Sequence, residues 1–136
     1  MGLQCQRQRP QCRTRHQWQR RFDKGRHFVH GFPDTPATWQ GLLPQVAAAG
    51  FRAVAVTCRG YEPSSRPANG DFGLMTLVDD VLGWIDALGG GPAHLVGHDW
   101  GSSLVQLAAA RAPDRVASLT LLAVAHPAAF AAVLPT

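Results

Sequence analysis

The sequence lacks long apolar runs and is poor in cysteine, and both absences restrict the class of protein. No apolar stretch approaches the ~20 residues that a membrane-spanning helix needs, so we predict no transmembrane segment. The N-terminal segment has no apolar region of the kind found in secretory signals. Three cysteines do not make a disulfide framework, and Cys5 and Cys12 lack the close spacing of zinc ligands. We therefore expect a cytoplasmic protein without a bound metal or other cofactor.

Acidic residues are also scarce at the N terminus, where the basic residues are concentrated. Residues 1–26 hold eight Lys and Arg side chains and one acid, Asp23, whereas residues 27–136 hold five basic and eight acidic side chains. The net charge of +4 therefore belongs to an Arg- and Gln-rich tail without a hydrophobic period. We predict that this tail is disordered; the alternatives are a nucleic-acid-binding arm and a segment read from a shifted frame. No basic or aromatic pattern continues beyond it, so nucleic-acid binding is not expected.

The remainder, residues 27–136, has the alternating pattern of one folded domain. The chain is 46% apolar and 16% charged, which is typical of globular proteins. Repeated strand–helix units with continuously apolar strands indicate the α/β class, with a parallel sheet of about four strands and helices on both faces. Apolar periodicity predicts the individual elements: a helix over 39–49, a strand over 51–57, a loop over 58–72, a helix over 74–88, a strand over 93–96, a helix over 102–112 and a strand over 116–124.

The segment GHDWG, residues 97–101, follows a predicted strand and precedes a predicted helix. This is the context of a nucleophile elbow, the G-x-S-x-G pattern, with Asp99 in the place of the serine. Side chains at positions 97 and 101 would clash where the strand and helix backbones approach each other. The helix N terminus would stabilise the carboxylate. The alternative is that Asp99 only caps the helix, since aspartate is favoured at that position, but a cap requires neither glycine.

A second motif, HGFPD at residues 30–34, follows the end of an apolar run. Together with Trp39, CRGYEPSS (residues 58–65), GHDWGS (residues 97–102) and AHP (residues 125–127), it resembles the epoxide hydrolase branch of the α/β-hydrolase fold family. The resemblance extends from about residue 28 to the C terminus, in the family's order and spacing. It implies that residues 27–136 are the N-terminal part of an α/β-hydrolase domain.

The resemblance implies a two-step covalent mechanism on a small-molecule substrate. Asp99 is the implied catalytic nucleophile, which attacks an electrophilic carbon and forms an ester. A water activated by a histidine then hydrolyses the ester, and the backbone N–H groups of Phe32 and Trp100 are the implied oxyanion hole. Haloalkane dehalogenases are the alternative branch; in these enzymes the indole at the position of Trp100 also contacts the halide. Phe32 favours epoxide hydrolases, because dehalogenases more often carry a polar residue there.

Six other polar residues of these motifs are interpreted as structural or as loop residues, namely His30, Tyr61, Ser64, Ser65, His98 and His126. His98 is expected to pack at the elbow, facing away from Asp99, rather than to act as a base. His30 is expected to help build the oxyanion turn.

Several parts that the resemblance implies are not found in the sequence. In this family the base histidine and its orienting acid follow a cap domain, and here the cap and the C-terminal part are missing. We therefore expect the chain to be inactive alone, with uncovered sheet edges through which it can self-associate. A catalytically empty interaction module that keeps the same fold is the remaining alternative.

Overall fold

A computed structural model describes residues 25–61, 66–124, 129 and 132 of the chain. Within these residues lie four β-strands: β1 Gly25–Val29, β2 Arg52–Val56, β3 Ala93–His98 and β4 Val116–Leu122. The connections contain three α-helices: α1 Leu43–Ala48, α2 Leu74–Ala87 and α3 Trp100–Arg111. Two short 3-10 helices span Pro36–Trp39 and Pro113–Arg115.

The four strands form one parallel sheet in the order β2–β1–β3–β4. β1 and β3 are the central strands, and Phe28 of β1 pairs with Ala55 on one side and Val96 on the other. The predicted α/β class and four-stranded parallel sheet are thus confirmed. Because β1 and β3 are parallel neighbours, the HGFPD and GHDWG segments that follow them lie side by side at the carboxyl edge of the sheet.

Helices cover both faces of the sheet, as predicted, because successive strand residues point to opposite sides. On one face, Val29 and Leu95 belong to the larger core cluster, which includes buried side chains of α2 and α3. On the other face, Phe28 and Val96 pack with Trp39, next to side chains of α1. The strands are therefore apolar on both sides, which is why they appear as continuous apolar runs in the sequence.

The helix predicted over residues 39–49 is interrupted, and the interruption has a local cause. A 3-10 helix ends at Trp39, and α1 begins only at Leu43. Thr35 caps the 3-10 helix, and its hydroxyl accepts the Ala37 N–H at 3.3 Å. Pro44 has no N–H to continue a helix from residue 39, and its ring would clash with the carbonyl four residues earlier. Proline is tolerated in the first turn, where α1 places it.

Four predicted boundaries differ from the structure by two residues, one of them the end of β4, which lies at Leu122 rather than at residue 124. β1 begins at Gly25, inside the segment assigned to a tail ending at residue 26; the rest of that tail lies outside the described residues. β3 continues past Val96 to His98, and α3 begins at Trp100 rather than Ser102. A single residue, Asp99, therefore separates strand from helix.

Two sheet edges lack a neighbouring strand in the part of the chain that the structure describes. β2 and β4 each pair with one other strand there. In β4, Leu119 and Leu122 are 37% and 42% exposed. No helix among the described residues is both long and apolar enough to cross a membrane.

Candidate active site

The backbone of Asp99 adopts an unusual conformation between β3 and α3. Its φ of 53° and ψ of −123° lie where non-glycine residues are strained, at a cost of order 1–3 kcal/mol. The Asp99 N–H donates to the carbonyl of Leu122 at the end of β4, at 3.1 Å. Such strain persists only where the surroundings hold it in place, and strained residues concentrate at functional sites.

The glycines on either side of this turn are required by close backbone contacts, as the sequence predicted. A Cβ atom at Gly97 would lie 2.6 Å from the Cα of Ser102 in α3. A Cβ at Gly101 would lie 2.7 Å from the carbonyl oxygen of His30, and closer still to that of Val29. Gly97 thus lets α3 pack against β3, whereas Gly101 lets α3 pack against β1.

The Asp99 carboxylate does not cap α3, so the capping interpretation is wrong for this side chain. It makes no capping hydrogen bond within the helix, and instead accepts the backbone N–H of Phe32 at 2.9 Å. The Phe32 N–H, and after it the Trp100 N–H, hold the pKa of Asp99 below its ordinary value. Of the two N–H groups that the resemblance implies as an oxyanion hole, that of Phe32 is hydrogen-bonded to this carboxylate, which is anionic at neutral pH.

Gly31 has a role that the sequence reasoning missed. A Cβ at Gly31 would lie 2.6 Å from Asp99 Oδ1 and closer still to Asp99 Cβ. Only a glycine lets the turn after β1 approach the carboxylate closely enough for the Phe32 N–H to reach it. The glycine was visible in the HGFPD motif, but its partner is 68 positions away in the chain.

His30 fixes that turn from the other side. Its Nε2 accepts the Cys58 N–H at 3.0 Å, so the opposite nitrogen, Nδ1, carries the proton and donates to the Gly31 carbonyl at 3.0 Å. The ring is buried, and Tyr61 packs edge-on against it at 4.6 Å between centroids. His30 therefore connects the HGFPD turn to the end of β2 and has no free nitrogen for proton transfer.

His98 lies next to Asp99 in sequence but contacts other groups. Its Nδ1 is 3.9 Å from Asp34 Oδ2, which is too far for a hydrogen bond. Its ring meets the edge of Trp39 at 6.5 Å between centroids. The hydroxyl of Thr38, and then the N–H of Thr35, lower the pKa of Asp34. These contacts match the packing role predicted for His98.

A cavity of about 370 Å³ opens beside the Phe32 and Trp100 side chains. Its wall is mostly apolar, and Phe32 and Trp100 are 66% and 58% exposed. The remaining residues of the wall are His30, Cys58, Arg59, Tyr61, Phe72, Leu74, Leu77 and Leu104. A mostly apolar cavity of this size with a few polar groups is typical of small-molecule sites. Sequence reasoning assigned Tyr61 only to a loop and missed its place in this wall.

The charge of Arg59 in this cavity is already neutralised. Its guanidinium donates to both carboxylate oxygens of Asp80 on α2, at 2.7 and 2.6 Å. The thiol of Cys58 is buried, and burial, followed by the charge of Asp80, raises its pKa to about 12, so it is not a nucleophile at neutral pH. Asp99 itself does not line the cavity, but Phe32, whose N–H binds its carboxylate, and the adjacent Trp100 both do.

Some residues singled out in the sequence fall outside this description. Ser64, Ser65 and His126 lie outside the described residues, as do residues 1–24. A second cavity, of about 550 Å³, lies at the amino ends of the strands and is lined by His27, Arg52 and the loop 89–91. It contains no residue of the GHDWG or HGFPD motifs.

Known proteins with similar sequences are hydrolases. Residues 28–134 match the sequence profile of the alpha/beta hydrolase fold family. The chain is 45% identical over 89 residues to an epoxide hydrolase of Caballeronia sordidicola, covering 65% of this chain and 27% of that protein. It is 38% identical over 97 residues to epoxide hydrolase B of Mycobacterium tuberculosis, covering 71% of this chain and 27% of that protein.

Solved structures show the same likeness. An epoxide hydrolase from an endophytic Streptomyces superposes with a TM-score of 0.71 at 35% identity, over 82% of this chain and 37% of that one. An epoxide hydrolase from Vigna radiata superposes with a TM-score of 0.70 at 31% identity, over 76% of this chain and 35% of that one. The chain thus spans between a quarter and two fifths of the length of these relatives. The profile match and the parallel sheet show that the chain belongs to the α/β-hydrolase fold family.

Proposed function

We propose that this chain carries the nucleophile of an epoxide hydrolase-like enzyme, and that Asp99 forms an ester with a small, apolar electrophile. A carboxylate oxygen of Asp99 bonds to an epoxide carbon, the ring carbon–oxygen bond breaks, and the released alkoxide takes a proton from water. The relatives named as epoxide hydrolases support the substrate class.

The observation that carries this proposal is the position of the Asp99 carboxylate. It is anionic, it lies on a strained turn, and it accepts the N–H of Phe32 at 2.9 Å. Phe32 and the adjacent Trp100 both line the apolar cavity. Once the ester forms, its carbonyl oxygen becomes negatively charged during hydrolysis, and donors already aimed at that oxygen stabilise the charge. The Phe32 and Trp100 N–H groups are then the oxyanion hole, and the turn is the nucleophile elbow.

Hydrolysis of the ester needs a base that activates water. Among the described residues, the two histidines near Asp99 are poorly suited to this step. Both nitrogens of His30 are hydrogen-bonded, and His98 lies against Asp34 and Trp39. We therefore expect the ester to form on this chain and to accumulate rather than turn over.

Intact-protein mass spectrometry after incubation with styrene oxide tests the proposal. We expect one adduct per chain, located at Asp99 by peptide mapping and released by hydroxylamine, which cleaves esters. Asp99→Asn should abolish it, and asparagine suits the control because it tolerates the positive φ of this turn. Asp114→Asn, which removes a carboxylate far from the cavity, should react like the wild type. An unmodified wild-type chain would refute the proposal and favour a catalytically empty module.

A haloalkane dehalogenase-like function is the second candidate, because the exposed Trp100 indole can contact a leaving halide. The exposed Phe32 side chain beside it is apolar and offers no second halide donor. Adduct formation at Asp99 with 1-bromobutane that is faster than with styrene oxide would favour the dehalogenase. We expect the reverse order.

A further inference from the structure

The hydroxyl group of Ser102 lies at the junction of β3, α3 and β4. Ser102 is in the first turn of α3, and its side chain is fully buried. Its single O–H proton is shared between two acceptors, the carbonyl oxygen of Gly97 at 2.7 Å from Oγ and that of Leu122 at 2.9 Å. The Oγ atom also accepts the Leu122 N–H at 3.2 Å. One hydroxyl thus connects the end of β3 to the end of β4.

The backbone carbonyl of Leu122 is also bound by Asp99. The Leu122 carbonyl accepts the Asp99 N–H at 3.1 Å, in addition to the Ser102 hydroxyl. The next residue, Ala123, has a φ of 67°, a strained value for alanine that ends β4 at this point. Two strained residues, Asp99 and Ala123, therefore flank one small network of hydrogen bonds.

Close packing does not explain why position 102 is serine. Alanine is smaller and has the better helix propensity. The contact that constrains Gly97 involves the Cα of Ser102 and not its side chain. The hydroxyl is therefore needed for its hydrogen bonds, which reach the backbone on both sides of the Asp99 turn.

We propose that Ser102 is a positioning residue for Asp99: its hydroxyl fixes the Asp99 turn to the end of β4, and so aligns the carboxylate with the Phe32 and Trp100 N–H groups. The role of this alignment in catalysis rests on the proposed function, but the alignment itself does not. Without the hydroxyl, the backbone of Leu122 is held less firmly, and the strained turn relaxes away from the two donors.

Ser102→Ala tests this inference, and Ser118→Ala is the matched control. Ser118 lies on β4. Like that of Ser102, its hydroxyl bonds to β3, at 2.7 Å from His94 Nδ1, but near the opposite end of the strands. We expect Ser102→Ala to raise the pKa of Asp99 and to slow styrene oxide adduct formation roughly tenfold. NMR on the labelled carboxyl carbon of Asp99 measures the pKa. Ser118→Ala should change neither quantity.

Ser102→Thr keeps the hydroxyl and should restore both quantities. Unchanged Asp99 titration in a folded Ser102→Ala chain, or an equal shift in Ser118→Ala, would overturn the inference. If the titration shifts but no variant forms an adduct, the positioning role stands and the proposed function fails.

Hydrogen exchange in the wild type gives a test that does not depend on folding of a variant. The Asp99 and Leu122 amides belong to one network and should open together, with equal protection. Protection factors that differ more than tenfold would contradict the inference.

Discussion

Gly83 and Gly101 both lie in α-helices, but an alanine side chain would meet different surroundings at the two positions. At Gly83, on the exposed side of α2, a Cβ has no neighbour within 4 Å. At Gly101 it would lie 2.7 Å from the His30 carbonyl oxygen and closer to that of Val29. Both of these neighbours are backbone atoms of the β1 region, so relief requires movement of the strand or of α3.

The two substitutions should therefore change stability in opposite directions. Alanine in place of glycine stabilises a helix interior by about 1 kcal/mol, and Gly83→Ala should show this gain. At position 101 the same gain is opposed by overpacking that costs about 3 kcal/mol where backbone must shift. We expect Gly101→Ala to lower the free energy of unfolding by about 2 kcal/mol, which corresponds to a melting temperature lower by about 8 °C or more in a domain of this size.

Urea unfolding followed by circular dichroism measures both changes under identical conditions. Gly83→Ala controls for the general effect of the substitution on helix stability. A Gly101→Ala chain as stable as Gly83→Ala would refute the reasoning, because it would show that α3 and β1 are not held at the distance described.

Two further perturbations address charge and association. Burial, and then the charge of Arg52, lowers the pKa of His27 from 6.5 to about 4, so the unfolded chain binds a proton that the folded chain excludes. The stability due to neutral His27 is complete above pH 6.5 and is lost as the pH falls toward 4, by about 3 kcal/mol at most. His27→Gln should remove this part of the pH dependence of urea unfolding. An unchanged pH dependence would contradict the lowered pKa of His27. We also propose that copies associate through the uncharged edge of β4, which has no neighbouring strand among the described residues. Leu119→Lys should reduce the concentration-dependent increase in mass seen by analytical ultracentrifugation, whereas Met75→Lys on the exposed part of α2 should not, and equal effects would exclude the β4 edge.

The secondary structure could be predicted largely because its signals are local. The apolar period of residues 74–88 predicts α2 within one residue, and the continuous apolar strands predict a sheet covered on both faces. Pro44 marks the break before α1 in the sequence, but the apolar spacing around Trp39 predicts a continuous helix there. The boundaries near Asp99 were wrong because the turn is tighter than the average loop on which such predictions rely.

The residues by themselves predict the candidate site only where one motif contains all its parts, and the role of the Phe32 N–H was implied only by the family resemblance. GHDWG holds Asp99 and both glycines, so the turn and the reason for its glycines followed from five consecutive residues. The roles of Gly31, Ser102 and Tyr61 did not, because each depends on a partner more than 18 positions away in the chain. No local pattern marks a serine as bound to a strand that begins 14 residues later.

The sequence by itself determined the α/β class, the parallel sheet, the two motifs and the candidate nucleophile, because apolar periodicity and glycine placement act over a few neighbouring residues. Only the tertiary structure decided that the Asp99 carboxylate meets the Phe32 N–H instead of capping its own helix. That contact exists because β1 and β3 are adjacent and parallel, so their carboxyl ends bring two distant turns together. It persists because Gly31 leaves room for the approach and the hydrogen bonds at the end of β4 hold the strained turn in place.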